Sequence, residues 1–466
     1  LKYVSTRAEA DELSFEQALL TGLARDGGLY LPKTWPAFSK EEIASFARLS
    51  YSDLAVKIIS PFVEPDLTAR ELEDLVSRAY AGFAHPAITP LRQSAQNEWL
   101  LELYHGPTLA FKDLAMQLLG PLFDHALAKR KQRLTVIGAT SGDTGSAAIE
   151  ALRGRENVDV FMLHPHGRVS EIQRRQMTTI DDRNVHNIAI EGTFDDAQAL
   201  VKAMFNDLAF RDALGVGGVN SINWARVMAQ IVYYFDSALS IGAPHRPISF
   251  CVPTGNFGDI FAGYAAKKMG LPIDQLVIAT NANDILARCL KTGRYEVANV
   301  TPTVSPSMDI QVSSNFERLI FESLNRDGAQ TRRLMASLAQ SGGFTLPESG
   351  LKAIQADFDA ARAGEEETMS TLGQWYKSHG ELIDPHTAVA VAVAMKIKRD
   401  PNTPMITLAT AHAAKFSEAV QQASGVAPTL PKQLTELLEK SERFSILPND
   451  LAAVQTFIRD RARVTA

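Results

Sequence analysis

Only two cysteines, Cys251 and Cys289, occur in 466 residues. So few exclude a disulfide framework, and with no CxxC or Cys/His spacing they exclude a zinc site too. No apolar run reaches the ~18 residues that a membrane-spanning helix needs. Charge of one sign is not in excess: 47 Lys and Arg against 53 Asp and Glu leave a net charge of −6. That balance excludes the basic surface of a general nucleic-acid binder. The densest basic runs, Lys129–Lys131 and Arg174–Arg175, read as solvated helix ends. Leu1–Arg7 do not read as a signal peptide, so the expected setting is a reducing cytoplasm, with no membrane and no nucleic acid as partner. What remains is ordinary for a globular chain, 45% hydrophobic and 21% charged. Its length calls for two or three domains.

From residue 134 onward, strand-like and helix-like segments alternate. Leu134–Ile137, Val158–Leu163, Val185–Ile190, Ile248–Val252, Gln275–Thr280 and Met405–Thr410 read as strands. Helical patterns lie between them, including Thr144–Arg153, Asp195–Asn206, Ile260–Met269 and a long amphipathic helix over Ile222–Ile241. Such alternation predicts an α/β fold with open, mostly parallel sheets flanked by helices. The expected division is a mainly helical N-terminal domain over 1–92, a smaller α/β domain over 93–220, a larger one over 221–427 and a helical tail over 428–466. Within the larger domain, about 301–380 shows helices without clear strands and reads as an insertion.

Lys112 lies in His105–Gln117, HGPTLAFKDLAMQ, among Leu109, Ala110, Phe111, Leu114, Ala115 and Met116. Apolar neighbours disfavour the ammonium and lower its pKa. A neutral amine is a nucleophile able to form a Schiff base with a carbonyl. Three loops follow strands and precede helices, where open α/β sheets bind ligands. Gly138–Gly145, GATSGDTG, offers backbone N–H groups to an anion at a helix start, with hydroxyls from Ser141 and Thr144. It is neither GxGxxG nor GxxxxGK[ST], and a tight turn capped by Asp143 or Thr144 is the plain alternative. Pro253–Asp259, PTGNFGD, suits a cradled phosphate or a simple turn. Thr410–Phe416 places Thr410 at a strand end; His412 and Lys415 stay open between capping, packing and chemistry.

Together, SFEQALLTGLARDGGLYLP (Ser14–Pro32), HGPTLAFKDLAMQ, GATSGDTGSAA, NSINWAR (Asn220–Arg226), PTGNFGDIFAGY and LATAHAAKF resemble, in this order, the threonine synthases. These are pyridoxal-phosphate enzymes of the tryptophan-synthase-β family, or fold type II, and the resemblance covers most of the chain. It implies that Lys112 is the Schiff-base lysine, and that Gly255, Asn256, Phe257 and Asp259 bind the cofactor through its phosphate. It further implies Thr410 at the pyridine nitrogen, and Thr140, Ser141, Asp143 and Thr144 facing the amino-acid substrate. Asn223, Arg226 and Arg318 of SSNFER are further substrate contacts in this reading, since arginine offers phosphate a planar fork of donors. For Arg318 a helix-surface ion pair is the alternative.

The implied reaction, a step of threonine biosynthesis, converts O-phospho-L-homoserine and water to L-threonine and phosphate, by γ-elimination and then β-addition of water. The sequence shows no obvious exposed apolar stripe, so a monomer is expected; no metal is expected, and nothing resembles an added regulatory domain. Three rivals differ in outcome. A pyridoxal-phosphate phospholyase or dehydratase would release a 2-keto acid and ammonia. A dinucleotide enzyme lacks its glycine fingerprint here. A non-catalytic binding protein on this fold would not need Lys112.

Overall fold

The computed structural model describes residues 1–219 and 221–463; Asn220, at the head of the NSINWAR motif, and residues 464–466 of the expected tail lie outside it. The chain opens on a short antiparallel pair, Tyr3–Ser5 (β1) and Tyr30–Pro32 (β2). Helices fill most of the segment up to Tyr80, three of them starting on Ser14, Ser39 and Thr68. Each of these hydroxyls accepts a backbone N–H while Gln17, Glu42 or Glu71 reaches back to the cap, so exposed N–H groups are satisfied reciprocally.

An antiparallel hairpin, Leu91–Ala95 (β3) and Glu98–Glu102 (β4), follows. Next come Leu134–Ala139 (β5), Val158–Pro165 (β6), Val185–Glu191 (β7) and the short Val216–Gly217 (β8). Further on lie Ile248–Pro253 (β9), Ile273–Thr280 (β10), Arg294–Glu296 (β11), Gly343–Thr345 (β12) and Phe358–Arg362 (β13). Met405–Ala409 (β14) and Ser445–Pro448 (β15) complete the set. Two sheets organise the molecule, one in the order β13-β10-β9-β14-β4-β3 and the other β15-β7-β6-β5-β8. Every neighbouring pair in them is parallel except β3 with β4. The strands β6, β9 and β14 are buried along their whole length, as helices on both faces of a parallel sheet require.

The expected helices Thr144–Arg153, Asp195–Asn206 and Ile260–Met269 stand at Asp143–Leu152, Phe194–Asn206 and Gly258–Lys268. Four expectations differ from what is found. The helix over Ile222–Ile241 is Trp224–Ser240 and is not amphipathic in its burial: Trp224 through Phe235 are all buried. It packs on the helices Tyr51–Val63, Lys112–Arg130 and Gly258–Lys268, so that only its last turn, at Asp236, Leu239 and Ser240, reaches water. The segment 301–380 contributes β13 to the edge of the six-stranded sheet, because its helices return the chain alongside β10. Residues 91–102 pair with β14 and join the larger sheet. The tail adds β15 to the smaller sheet, parallel to β7, and the Arg174–Glu442 pair at 2.8 Å fastens it. No helix of the described residues is long and apolar enough to cross a membrane.

The helices Lys112–Arg130 and Asp143–Leu152 lie against each other. Their approach is set by Gly120, where a Cβ would overlap the carbonyl oxygen of Ala151. Lys112 and Asp143 begin these two helices, so their spacing depends on that contact. Gly120→Ala is expected to destabilise the protein by about 1–3 kcal/mol, the cost of overfilling a packed contact. Urea unfolding measures this, and an unchanged midpoint would show that the helices do not pack there.

Candidate active site

The loops after β5, β9 and β14 converge. Within the smaller sheet β5 has β6 on one side and β8 on the other, and in the larger sheet β9 and β14 are neighbours whose far sides carry β10 and β4. Each loop thus leaves its sheet where successive connections run in opposite directions, opening a crevice at the strand ends. Between the loops lies a cavity, placed as small-molecule sites of open α/β sheets are, at the strand ends. Lys112, Asp143, Thr144, Arg226, Gly255, Asn256, Phe257, Asp259 and Thr410 line it.

The turn carrying Lys112 is stitched to the loop after β14. Ala110 bridges Ala411, and the Phe111 N–H donates to the Thr410 carbonyl at 2.8 Å. Leu109, just before, sits in the left-handed region at φ 60°, a conformation that costs a non-glycine residue about 1 kcal/mol or more. Lys112 is 8% exposed, with its Nζ 4.7 Å from the centre of the Phe111 ring and 3.6 Å from Asp143 Oδ2. Burial lowers its pKa; Asp143 opposes that, while the charges of Lys415 and Arg226 add to it. The result is an amine that gives up its proton more readily than an ordinary lysine, the direction the apolar setting in the sequence implies.

Asp143 is more heavily engaged. Lys415 Nζ stands 2.8 Å from its Oδ1, and Gln173 Nε2 donates to the same oxygen at 2.8 Å. Burial on its own would raise the Asp143 carboxyl, but Lys415, Lys112 and Gln173 hold it well below the ordinary carboxylate range.

Opposite lies the Gly255–Asp259 turn. Phe257 is left-handed at φ 64° and its ring packs on Phe316 and Phe358. The helix Gly258–Lys268 starts without a side-chain cap, and so do Asp143–Leu152 and Lys112–Arg130. Their dipoles favour an anion in the cavity, while Thr140 Oγ1 already accepts the Gly145 N–H and the Ala110 and Phe111 carbonyls accept those of Asp113 and Leu114. Asn315 fixes the turn by donating its backbone and side-chain N–H groups to the Asn256 carbonyl at 3.0 and 2.9 Å. Gly255 is obligatory on space, since a Cβ there would lie 2.7 Å from the Ser307 carbonyl oxygen. Tyr233 and Tyr234 donate to Asp259 Oδ1 at 2.5 and 2.9 Å, while Oδ2 is buried without a partner among the described residues. Burial raises this carboxyl to about 6, against the tyrosine bonds and Lys112.

Arg226 is 5% exposed. Its Nη1 donates to the Val219 carbonyl at 3.1 Å, its Nε is buried without a partner, and no carboxylate pairs with it among the described residues. Burial lowers its pKa to about 10. The orphaned polar atoms of Arg226 and Asp259, the uncapped helix starts and the buried amine together fit pyridoxal phosphate, a phosphorylated aldehyde.

Other expected site residues stand elsewhere. Thr140 is buried beneath its loop, accepting the Gly142 and Gly145 N–H groups at 2.9 Å, and Ser141 is exposed. Asn223 caps the helix Trp224–Ser240 and donates to the Leu19 carbonyl at 2.8 Å. Arg318 is fully buried away from the cavity, so the expected substrate contact and the alternative surface ion pair both give way to a structural role. Its guanidinium donates to the Tyr30 carbonyl at 2.7 Å, the Ile222 carbonyl at 2.6 Å and Asn315. His412 caps the turn Ala413–Phe416. The cavity also takes in Ser221, Gln230, Ser307, Met308 and His386, which the sequence reading did not select. Gln230 lies one helical turn beyond Arg226 and could have been found by that spacing. Nothing local marks Ser307 or His386.

The sheets and this cavity define a pyridoxal-phosphate-dependent enzyme of fold type II. The family profile "Pyridoxal-phosphate dependent enzyme" matches residues 84–365, flanked by "Threonine synthase N terminus" over 2–80 and "Threonine synthase, C-terminal" over 387–458. Threonine synthase of Pseudomonas aeruginosa is 53% identical over 98% of each chain. The crystal structure of pyridoxal-phosphate-bound threonine synthase from Brucella melitensis superposes with a TM-score of 0.97 at 56% identity, covering 99% of this chain and 100% of that one. Yeast threonine synthase gives 0.93 at 41%, covering 99% and 98%. The chain belongs to the threonine synthase family, and it is a pyridoxal-phosphate-dependent lyase.

Gly255→Ala is expected to weaken pyridoxal-phosphate binding about tenfold, because the added methyl pushes the turn off the Ser307 carbonyl. Titration of cofactor absorbance reads this, with circular dichroism verifying the fold; unchanged affinity would remove the turn from the cofactor site.

Proposed function

We propose that this chain converts O-phospho-L-homoserine and water to L-threonine and phosphate, with Lys112, Thr410 and the Gly255–Asp259 turn holding the cofactor. Arg226 carries the choice of substrate. A buried guanidinium with no carboxylate on it is costly unless an anion completes it. The start of the helix Gly258–Lys268 suffices for the cofactor phosphate. A second phosphate, the substrate's, then suits the fork of Arg226. Thr144, in the first turn of the helix Asp143–Leu152 and on the cavity wall, suits the substrate carboxylate.

Bound pyridoxal phosphate supplies the electron sink that acidifies the substrate's Cα and Cβ protons. Lys112 Nζ would take the Cα proton and pass it to the departing phosphate, then carry a Cβ proton to Cγ as phosphate leaves; water would add its hydroxyl at Cβ and its remaining proton would return through Lys112 to Cα. A lowered amine pKa suits this shuttle near neutral pH. Thr410 is uncharged and does not stabilise a fully protonated ring, which keeps the sink modest and discourages transamination.

In this reading the chain has a helical N-terminal unit and two α/β units built on the two sheets, with β3 and β4 in the larger unit and the tail's β15 in the smaller. A cytoplasmic monomer is part of the proposal. Cys251 and Cys289 are buried and free, which suits a reducing compartment. Exposed apolar side chains such as Leu208, Met395 and Ile446 stand on separate elements. Size-exclusion light scattering is expected to give the mass of one chain; twice that mass would overturn the monomer.

Protein loaded with pyridoxal phosphate and given O-phospho-L-homoserine is expected to release threonine and phosphate in equal amounts. Amino-acid and phosphate assays measure both. A 2-keto acid with ammonia in place of threonine would refute the reading.

A further inference from the structure

We infer that Lys415 is a positioning residue that occupies Asp143 as its charge partner and so leaves the Lys112 amine free to react. Lys415 lies in the turn Ala413–Phe416 after β14. Its side chain is 0% exposed and its Nζ makes two short contacts, 2.8 Å to Asp143 Oδ1 and 2.7 Å to the Thr108 carbonyl. Lys112 Nζ is 3.6 Å from the other oxygen, Oδ2, which Ser307 Oγ also faces at 3.4 Å. Two amines therefore share one buried carboxylate, and it can neutralise only one ammonium. In a low dielectric the nearer, doubly bonded amine keeps the charge. Lys415 holds that place, and Lys112, with Asp143 at longer range and an aromatic ring beside it, is the amine that can give up its proton.

The other carboxylates nearby have hydrogen-bond partners other than Lys112 and Lys415. Asp113 accepts the Thr108 N–H and hydroxyl at 2.8 and 2.6 Å. Asp259 is held by Tyr233 and Tyr234. Asp384 pairs with His386 Nδ1 at 2.8 Å, and His386 Nε2 accepts the Ser307 N–H. His412 caps its own turn. Arg226 has no carboxylate and, with Lys415, works against a charge on Lys112. Without Lys415, Asp143 would retain Gln173 and the Lys112 ammonium, and an ammonium cannot attack an aldehyde.

This inference rests on Lys112 being the amine that takes the cofactor, and the test separates the two. Full-length protein stripped of cofactor is mixed with pyridoxal phosphate across pH, and the capture rate is followed by the absorbance of bound cofactor. Lys415→Gln removes the charge but can still donate to the Thr108 carbonyl; Lys415→Arg keeps the charge. For Lys415→Gln the pH midpoint of capture is expected to rise by about one unit or more, slowing capture at neutral pH roughly tenfold. Lys415→Arg should stay near the wild type. The ascending limb of kcat against pH in the holoenzyme should move with the midpoint. A Lys415→Gln midpoint that stays put or falls, including uniformly slower capture at every pH, overturns the inference. If Lys415→Gln does not fold, Asp143→Asn must lower the midpoint, and a midpoint unchanged or raised overturns it as well. Capture persisting in Lys112→Ala would instead overturn the assignment of Lys112.

Discussion

A single buried carboxylate, Asp143, sets the terms for the rest of the molecule. It enters from the loop after β5 in the five-stranded sheet, while Lys415 enters from the turn after β14 in the six-stranded one. Their ion pair therefore crosses between the two sheets. A buried pair is stabilising only when its geometry is good and its remaining valences are met. Here Gln173 and the Thr108 carbonyl meet them. An exposed pair such as Lys352–Glu348 contributes little by comparison. The contact of Gly120 with Ala151 and the largely buried helix Trp224–Ser240 hold the surrounding backbone close enough for the pair to persist.

Around that pair the cavity is prepared for anions. Lys112, Lys415 and Arg226 face one firmly ionised carboxylate, Asp143, while burial draws Asp259 towards its neutral form. Three uncapped helix starts point the same way. Residues at left-handed φ, Leu109 and Phe257, precede two of those helices. The strain there is local, and packing of the Phe257 ring on Phe316 and Phe358 offsets it. Stability given up at these positions is exchanged for a site ready to take phosphates and a carbonyl.

Much of this was legible in the chain because it is local. An apolar setting for Lys112, a strand–loop–helix at each of three motifs and the alternation from residue 134 are all read within a dozen residues. What escaped depends on long-range contact. Lys415 stayed open because a lysine on a short turn is usually solvated, and its partners Asp143 and Thr108 lie far away in sequence. Ser307 and His386 reach the cavity from stretches with no motif. Arg318 looked like a phosphate ligand because its residue type suits one, yet backbone carbonyls of Tyr30 and Ile222 take its donors. β13 and β15 went unread because edge strands are short and only partly buried.

Two buried lysines flank Asp143, and they do different work. Borohydride reduction of the protein loaded with pyridoxal phosphate, followed by proteolysis and mass spectrometry, tests that assignment directly. The pyridoxyl label is predicted on the peptide containing Lys112, with Lys415 unmodified; a label on Lys415 would contradict the account.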